Sequence, residues 1–216
     1  MRISTLLGVS VVLAGCASRP MHRCSMPYSL VRIEMAVMDK RAGDKQGERY
    51  TGFDFLDRMQ AAGPAVVPEL AFALESENRS HRDMAGYALG AMLQWDWREA
   101  WSFLAERLFR SPSEEEAGPL LAALTEAHRC QVQWPDVGRP VFAEMWARHR
   151  GNLAFYAALY LSSDYVVHTV SLNHPDNKTD MRACDYAAYV IQAVSGTDLG
   201  AGPFVRSDAV VEKTHG

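Results

Sequence analysis

Apolar side chains recur along most of this chain at intervals of three and four residues, and sustained alternation of apolar and polar positions is rare. Such spacing places the apolar side chains on one face of an α-helix. Helices are predicted over residues 29–40, 53–62, 64–75, 80–94, 140–148, 152–161 and 179–195, with two more following Asp96 and Ser111. The pattern therefore predicts an all-α fold of short helices joined as antiparallel hairpins.

Several helix ends are marked by residues that favour helix termini. Asp96 is predicted to cap the segment that carries Trp101, because its short carboxylate can accept a backbone N–H. Ser111 is predicted to cap the next helix, with Pro112 at the first helical position and Glu114 completing a capping box. Gly196 is predicted to end the last helix in a left-handed conformation.

One predicted hairpin carries a more specific pattern. Its first helix reads Gly-Pro-Ala-Val-Val-Pro-Glu-Leu from Gly63, and its second contains Arg82 and ends on Ala-Leu-Gly at residues 88–90. This pattern resembles a HEAT-like repeat. The resemblance implies an α-solenoid in which successive helix hairpins stack. Residues 100–143 lack these marks, so an irregular helical bundle carrying one such hairpin is the alternative.

The amino terminus has the order of a secretory signal peptide. Residues 1–15 contain Arg2, an apolar run over residues 3–13 and a small-residue ending. The run is too short to span a bilayer, which needs about 20 residues. The following Leu13-Ala14-Gly15-Cys16 resembles the lipobox of bacterial lipoproteins. The resemblance implies cleavage before Cys16, a diacylglycerol on its sulfur, and a membrane anchor made by lipid.

The residue after the lipobox bears on the membrane in which the protein resides. In lipoproteins, aspartate at that position favours retention in the inner membrane, whereas this chain has Ala17. The resemblance therefore implies the outer membrane, facing the periplasm, in a host with two membranes. The predicted organisation is a signal peptide (1–15), a lipidated amino terminus and tether (16–27), a HEAT-like helical domain (28–200) and a carboxyl-terminal tail (201–216).

Composition and charge argue against a nucleic-acid partner. The chain has 216 residues, of which 48% are hydrophobic, and a formal net charge of -4. Binding to phosphate backbones needs clustered lysine and arginine. The densest charged stretch, residues 39–49, mixes both signs. We therefore predict a globular chain that binds no nucleic acid.

Three cysteines remain once Cys16 is assigned to the lipid. Export to an oxidising compartment permits disulfides, but connectivity does not follow from sequence. Cys24 lies in the predicted tether, whereas Cys184 lies on an apolar helix face. A Cys130–Cys184 disulfide is the favoured possibility, with two unpaired buried thiols as the alternative.

No motif carries a catalytic or metal-binding mechanism. Zinc ligands or a Cys-His pair are conceivable from residue type alone at His128, Cys130, His149, His168, His174 and Cys184. Their spacings match no such pattern. We predict no catalytic residue, no metal and no cofactor. Six aromatic residues are predicted mainly as core, with a groove for glycan or peptide as the alternative: Trp95, Trp97, Trp101, Tyr156, Tyr160 and Tyr165.

The function expected from these patterns is a non-enzymatic, membrane-tethered helical module. HEAT-like helices imply a surface that binds a protein, here a protein of the bacterial cell envelope. One alternative is a cell-envelope enzyme, such as a cell-wall hydrolase that uses Cys130 or a histidine. Another is a small-ligand or glycan binder built on the aromatic residues.

Overall fold

Helices make up most of the structure, a computed structural model that describes residues 30–43, 52–171 and 178–197. The predicted all-α class is confirmed. The helices are α1 (Leu30–Gly43), α2 (Gly52–Ala62), a 3₁₀ helix (Pro64–Glu69), α3 (Leu70–Leu74), α4 (Arg79–Gln94), α5 (Arg98–Leu108), α6 (Glu114–Gln133), α7 (Pro140–Ala158) and α8 (Ala183–Ser195). Two strands, β1 (Val166–Ser171) and β2 (Lys178–Arg182), form the one sheet within these ranges.

Alternate helices lie in two layers. Helices α4, α6 and α8 pack side by side in one layer, while α5 contacts both the 3₁₀ helix and α7 in the other. Helices α4 and α6 run in the same direction at very short separation. A Cβ on Gly86 would lie 2.8 Å from Pro119 Cβ, and one on Gly90 would lie 3.4 Å from Ala123 Cα. Glycine at these two positions therefore sets the distance between the two helices.

One cluster of buried apolar side chains includes residues from both layers. Trp101 of α5 is fully buried and lies against Phe142 of α7, with 5.3 Å between the ring centroids. Leu89 of α4 and Leu120 of α6 are also fully buried. Burial of large apolar side chains from both layers is the main stabilising term for such a fold.

Helix α7 corrects one sequence prediction. Residues 140–148 and 152–161 were predicted as two helices, yet one helix spans Pro140–Ala158. Gly151, which lies between the two predicted ranges, costs only about 1 kcal/mol inside a helix. Burial of Met145, Leu153 and Ala157 on one face offsets that cost.

The helix predicted over residues 64–75 is divided in the structure. Residues Pro64–Glu69 form a 3₁₀ helix, and only Leu70–Leu74 are α-helical. Pro68 lies inside the 3₁₀ segment. Proline has no N–H to donate, and its ring collides with the carbonyl four residues earlier in an α-helix. This explains why the α-helix begins only after Pro68.

The strand hairpin is a third difference from the sequence prediction. A helix was predicted from residue 179, but residues 178–182 form β2, which pairs antiparallel with β1. Helix α8 begins at Ala183 because the Asp185 carboxylate accepts the backbone N–H of Arg182 at 2.7 Å. The predicted end of this helix is confirmed, since Gly196 has a φ of 74° and donates its N–H to the Gln192 carbonyl.

The two predicted amino-terminal caps are wrong. Asp96 has a φ of 64°, and Trp97 occupies the cap position of α5. The Asp96 carboxylate instead accepts the N–H groups of Val141 and Phe142 at 3.1 and 2.7 Å, so it caps α7. Ser111 has a φ of 53°, and α6 begins only after Ser113, at Glu114. Both residues turn the chain before the helix, where a short polar side chain tolerates a left-handed conformation.

Candidate interaction surfaces

Large apolar side chains are exposed at the carboxyl-terminal end of α7. Phe155 is 64% exposed and Leu159 is 49% exposed, and the two lie one helical turn apart. Leu161, in the turn that follows, is also exposed. Leu153 and Ala157 are fully buried on the opposite face of the helix. We call Phe155, Leu159 and Leu161 the α7 outer patch.

Small residues border this patch along the same helix. Ala147, Gly151 and Ala158 are exposed. A Cβ at Gly151 would meet no atom within 4 Å. The backbone of α7 is therefore open to close approach from outside. An element of another molecule could reach Phe155 without meeting bulky side chains at these positions.

A chain of aromatic rings supports the patch from the side of α5. Phe109 lies 5.5 Å from the His149 ring and 5.1 Å from the Tyr156 ring, measured between centroids. Tyr156 in turn meets Phe155 edge to face at 5.1 Å. Such ring pairs stabilise beyond their area burial. These ring contacts support the Phe155 side chain at the surface of α7.

A second exposed apolar cluster lies at the end of α6 and in the segment that joins α6 to α7. Val132 is 65% exposed, Trp134 is 47% exposed and Val137 is 52% exposed. We call residues 132–137 the Trp134 loop. Its backbone is turned by hydrogen bonds from Trp134 N–H to the Cys130 carbonyl and from Val137 N–H to the Trp134 carbonyl, at 3.0 and 3.2 Å.

Arg139 fixes the base of the Trp134 loop. Its side chain is buried, and its guanidinium donates to the carbonyl of Gln94 at 3.0 Å and to that of Cys130 at 3.4 Å. These carbonyls belong to the last turns of α4 and α6, where a positive charge is favoured. The Cys130 carbonyl also accepts the Trp134 N–H at 3.0 Å. Arg139 thus connects the ends of α4 and α6, and the Asp96 carboxylate connects the start of α7 to the same region.

A polar network ties α1 to the turn before α4. His81 is buried, and its Nε2 donates to Asp39 Oδ1 at 2.8 Å, while Nδ1 lies 2.9 Å from Ser76 Oγ. These are the residue types of a hydrolase triad. Here, however, Ser76 Oγ also accepts the N–H of Asn78, whose side chain caps Ser80 N–H at 2.9 Å. We interpret the network as a helix cap that holds α1 in place.

Asp83 of α4 is an ionisable residue whose carboxylate is partly removed from solvent. Its Oδ1 is buried and has no hydrogen-bond partner within the part of the chain that the structure describes. Its Oδ2 lies 3.6 Å from Arg79 Nε. Burial raises the pKa of Asp83 to about 6, and the nearby guanidinium groups of Arg79 and Arg82 only partly oppose this. Ionised Asp83 therefore costs the folded state stability near neutral pH.

Replacing Asp83 with asparagine is expected to stabilise the folded chain by about 1 kcal/mol at about pH 8 and to have little effect at about pH 4. Folding favours protonated Asp83, because its folded pKa of about 6 exceeds the ordinary 3.8. That stabilisation is present below the ordinary pKa and is lost as pH rises through the folded pKa. Asparagine mimics the protonated form at every pH. Urea unfolding at both pH values measures the difference. An equal gain from Asp57→Asn, at an exposed site of α2, would contradict this explanation.

The cysteines singled out in the sequence lie in separate surroundings. Cys16 and Cys24 fall outside the described residues. Cys130 and Cys184 are both buried, and no disulfide joins them in the structure. Cys130 Sγ donates to Glu126 Oε1 at 3.7 Å, and burial raises the pKa of this thiol. A thiol with a raised pKa is a poor nucleophile. The disulfide stays a prediction for the oxidised protein.

The histidines and aromatic residues do not converge on one groove. His128 stacks on Trp146 at 4.4 Å, and burial lowers the pKa of His128. Trp101 is core, whereas Tyr160 is buried near the α5–α6 turn, where its hydroxyl donates to the Pro112 carbonyl at 2.6 Å. Tyr165 lies against Arg82. Within residues 30–43, 52–171 and 178–197, no three His, Cys, Asp or Glu side chains are placed to hold a metal ion.

Comparison with known proteins adds no relative from which a function could be transferred. No protein family, no curated protein and no solved structure matches the chain. Among the described helices, none combines the length and the apolar character needed to cross a bilayer.

Proposed function

We propose that this chain is a lipid-anchored, non-enzymatic module of the bacterial cell envelope that binds another protein through the α7 outer patch. The observation that carries the proposal is the exposure of Phe155 and Leu159 on the outer face of a helix that is otherwise well packed. Exposed apolar clusters of this kind are typical of interaction sites. The HEAT-like pattern of residues 63–90 supports the same function, because stacked helices are widely used as binding surfaces.

The patch has the composition of an interface centre. Phe155 provides a large aromatic side chain, and Leu159 extends the apolar surface by one turn. Gly151 and Ala158 leave room beside them. Polar residues form a rim on the side of the patch toward the start of α7. They are Asn152 and, one turn before it, Arg148, which pairs with Glu144 at 2.7 Å. Apolar centre and charged rim together favour a protein partner over a small ligand.

The proposed lipid anchor is inferred from the amino-terminal sequence. Leu13-Ala14-Gly15-Cys16 supports lipid attachment at Cys16, and Ala17 supports the outer membrane, facing the periplasm. A chain held by two or more acyl groups stays durably on its membrane. Anchoring keeps the patch close to other envelope proteins, which raises the effective concentration of a partner.

One experiment with native membranes tests both parts of this proposal. The full chain is purified under mild conditions as the wild type, as Cys16→Ala and as the double variant Phe155→Asp, Leu159→Asp. Cys16→Ala is expected to leave the membrane fraction. The double variant is expected to remain anchored and to lose its co-purifying protein by at least about tenfold, since buried aromatic anchors contribute about 2 kcal/mol or more.

The matched control for the double variant is Tyr87→Asp. Tyr87 of α4 is 49% exposed, much like Leu159, but lies on another surface. It should leave the co-purifying protein unchanged. Loss of the partner to the same degree in both variants, or its full retention in the double variant, would rule out the α7 outer patch as the binding site.

A further inference from the structure

The start of α1 points toward one particular end of the domain. Val31 N–H donates to the Glu69 carboxylate at 3.2 Å, and Asp39, two turns later, accepts from His81 near the start of α4. Helix α1 therefore runs alongside the 3₁₀ helix and α3, in the same direction. Because a four-residue turn reverses the chain between α3 and α4, the start of α1 points to the end where α4 finishes.

The Trp134 loop lies at this same end. Arg139, at the base of the loop, donates to the Gln94 carbonyl, which is the last residue of α4. The loop follows directly on α6, which runs parallel to α4 and ends beside it. The start of α1 therefore points to the end of the molecule that carries the exposed side chains of the Trp134 loop.

Tryptophan is concentrated at this end. Trp95 and Trp97 form a tilted pair, 4.9 Å between ring centroids, in the turn between α4 and α5 that also holds Asp96. With Trp134, three of the five tryptophans of the chain lie here. Trp95 and Trp97 are partly buried against the core, whereas Trp134 is exposed. Tryptophan prefers the boundary between lipid headgroups and acyl chains, where its ring is buried and its N–H stays hydrated.

The charge of the Trp134 loop favours contact with a lipid surface that has no net charge. Between Gln131 and Gly138 the single charged residue is Asp136, and no lysine or arginine is present. A site for anionic lipid needs several basic residues near the surface. Val132 and Val137 flank the tryptophan with apolar side chains instead. This composition fits zwitterionic headgroups.

We propose that the Trp134 loop dips into the headgroup–acyl boundary of the membrane that carries the anchor. The proposal rests on the proposed lipid anchor for its orientation. Cys16 precedes Leu30 by fourteen positions, which spans at most about 50 Å when fully extended. Hydrogen bonds of Arg139 and Asp96 fix the backbone at the base of the loop, which lowers the cost of ordering it at the bilayer. The loop thus fixes the orientation of the domain relative to the membrane.

Fluorescence quenching by lipid tests this proposal independently of Cys16. The mature chain carries an amino-terminal histidine tag and is bound to phosphatidylcholine vesicles that contain some nickel-chelating lipid. Acyl chains brominated near the headgroup quench any tryptophan that reaches the boundary. We expect clear quenching of the bound wild type and, for Trp134→Phe, a loss of at least about half of that quenching. Trp146→Phe, which removes a ring stacked beneath His128, is the matched control and should retain it.

A second variant keeps the test independent of the aromatic substitution. Val132→Asp with Val137→Asp changes two exposed positions and should fold normally, yet it should lower the quenching at least twofold. Equal quenching in the wild type and Trp134→Phe would overturn the proposal. So would a Trp134-dependent crosslink to an envelope protein in place of lipid. Because the tag replaces the natural anchor, none of these results depends on whether Cys16 is lipidated in cells.

Discussion

Replacing Gly86 with leucine is expected to lower the free energy of unfolding by about 3 kcal/mol. The reason is that α4 and α6 touch at this residue. A Cβ on Gly86 would lie 2.8 Å from both the Cβ and the carbonyl oxygen of Pro119. Atoms of a helix backbone cannot move aside without separating the two helices along their whole contact. Urea unfolding followed by circular dichroism measures the loss.

The matched control is Gly151→Leu, also within a helix. A Cβ at Gly151 meets nothing within 4 Å, and the residue is exposed on α7. Leucine there should stabilise the chain by about 0.5–1 kcal/mol, because it favours the helix more than glycine does. If both substitutions shifted stability in the same direction, the close approach of α4 and α6 would not be real.

Replacing Arg139 with methionine is expected to cost about 2 kcal/mol, because it removes the charged donor from the carbonyls of Gln94 and Cys130. Gln94 and Cys130 would each lose a hydrogen bond at the end of a helix. Methionine keeps much of the volume, so the loss reports on the guanidinium. The base of the Trp134 loop should also loosen, which hydrogen exchange at Val137 would show as faster amide exchange.

Arg110→Met provides the comparison for Arg139. The Arg110 side chain is 71% exposed and pairs with Glu106 one turn earlier at 2.7 Å. An exposed pair of this kind contributes less than about 0.5 kcal/mol. Similar losses for both variants would mean that Arg139 is not the residue that joins the ends of α4 and α6.

The fold class was predictable because helix patterning is local. Apolar spacing alone places α2, α4 and α5 within a few residues of their actual bounds. The errors occur where contacts distant in sequence decide the outcome. Asp96 caps α7 rather than α5, because Val141 N–H approaches it from forty-five positions away. The β1–β2 hairpin was missed although Val166, Val167 and Val170 are β-branched, a residue type that is enriched in strands.

The candidate surfaces were less accessible from sequence. Residues 153–161 are apolar at nearly every position, which exceeds what one buried face requires. That excess was a usable sign of the α7 outer patch. The Trp134 loop gave no such sign, because Trp134 stands alone between Gln133 and Pro135, and its exposure depends on how Arg139 fixes the base of the loop.

The two surfaces lie at opposite ends of α7. The helix begins beside Asp96, at the end that carries the Trp134 loop, and reaches Leu159 about 25 Å farther on. If the loop faces the membrane, the α7 outer patch faces away from it. A partner protein would then be held at a defined height above the lipid surface.

Photocrosslinking in cells tests the central proposal most directly. A photoreactive amino acid at position 155 of the full, anchored chain is predicted to give one discrete adduct with an envelope protein. The same group at position 106, an exposed site of α5 outside the patch, should give none. Absence of an adduct at position 155, or an identical set of adducts from both positions, would contradict the proposal that the α7 outer patch binds a protein.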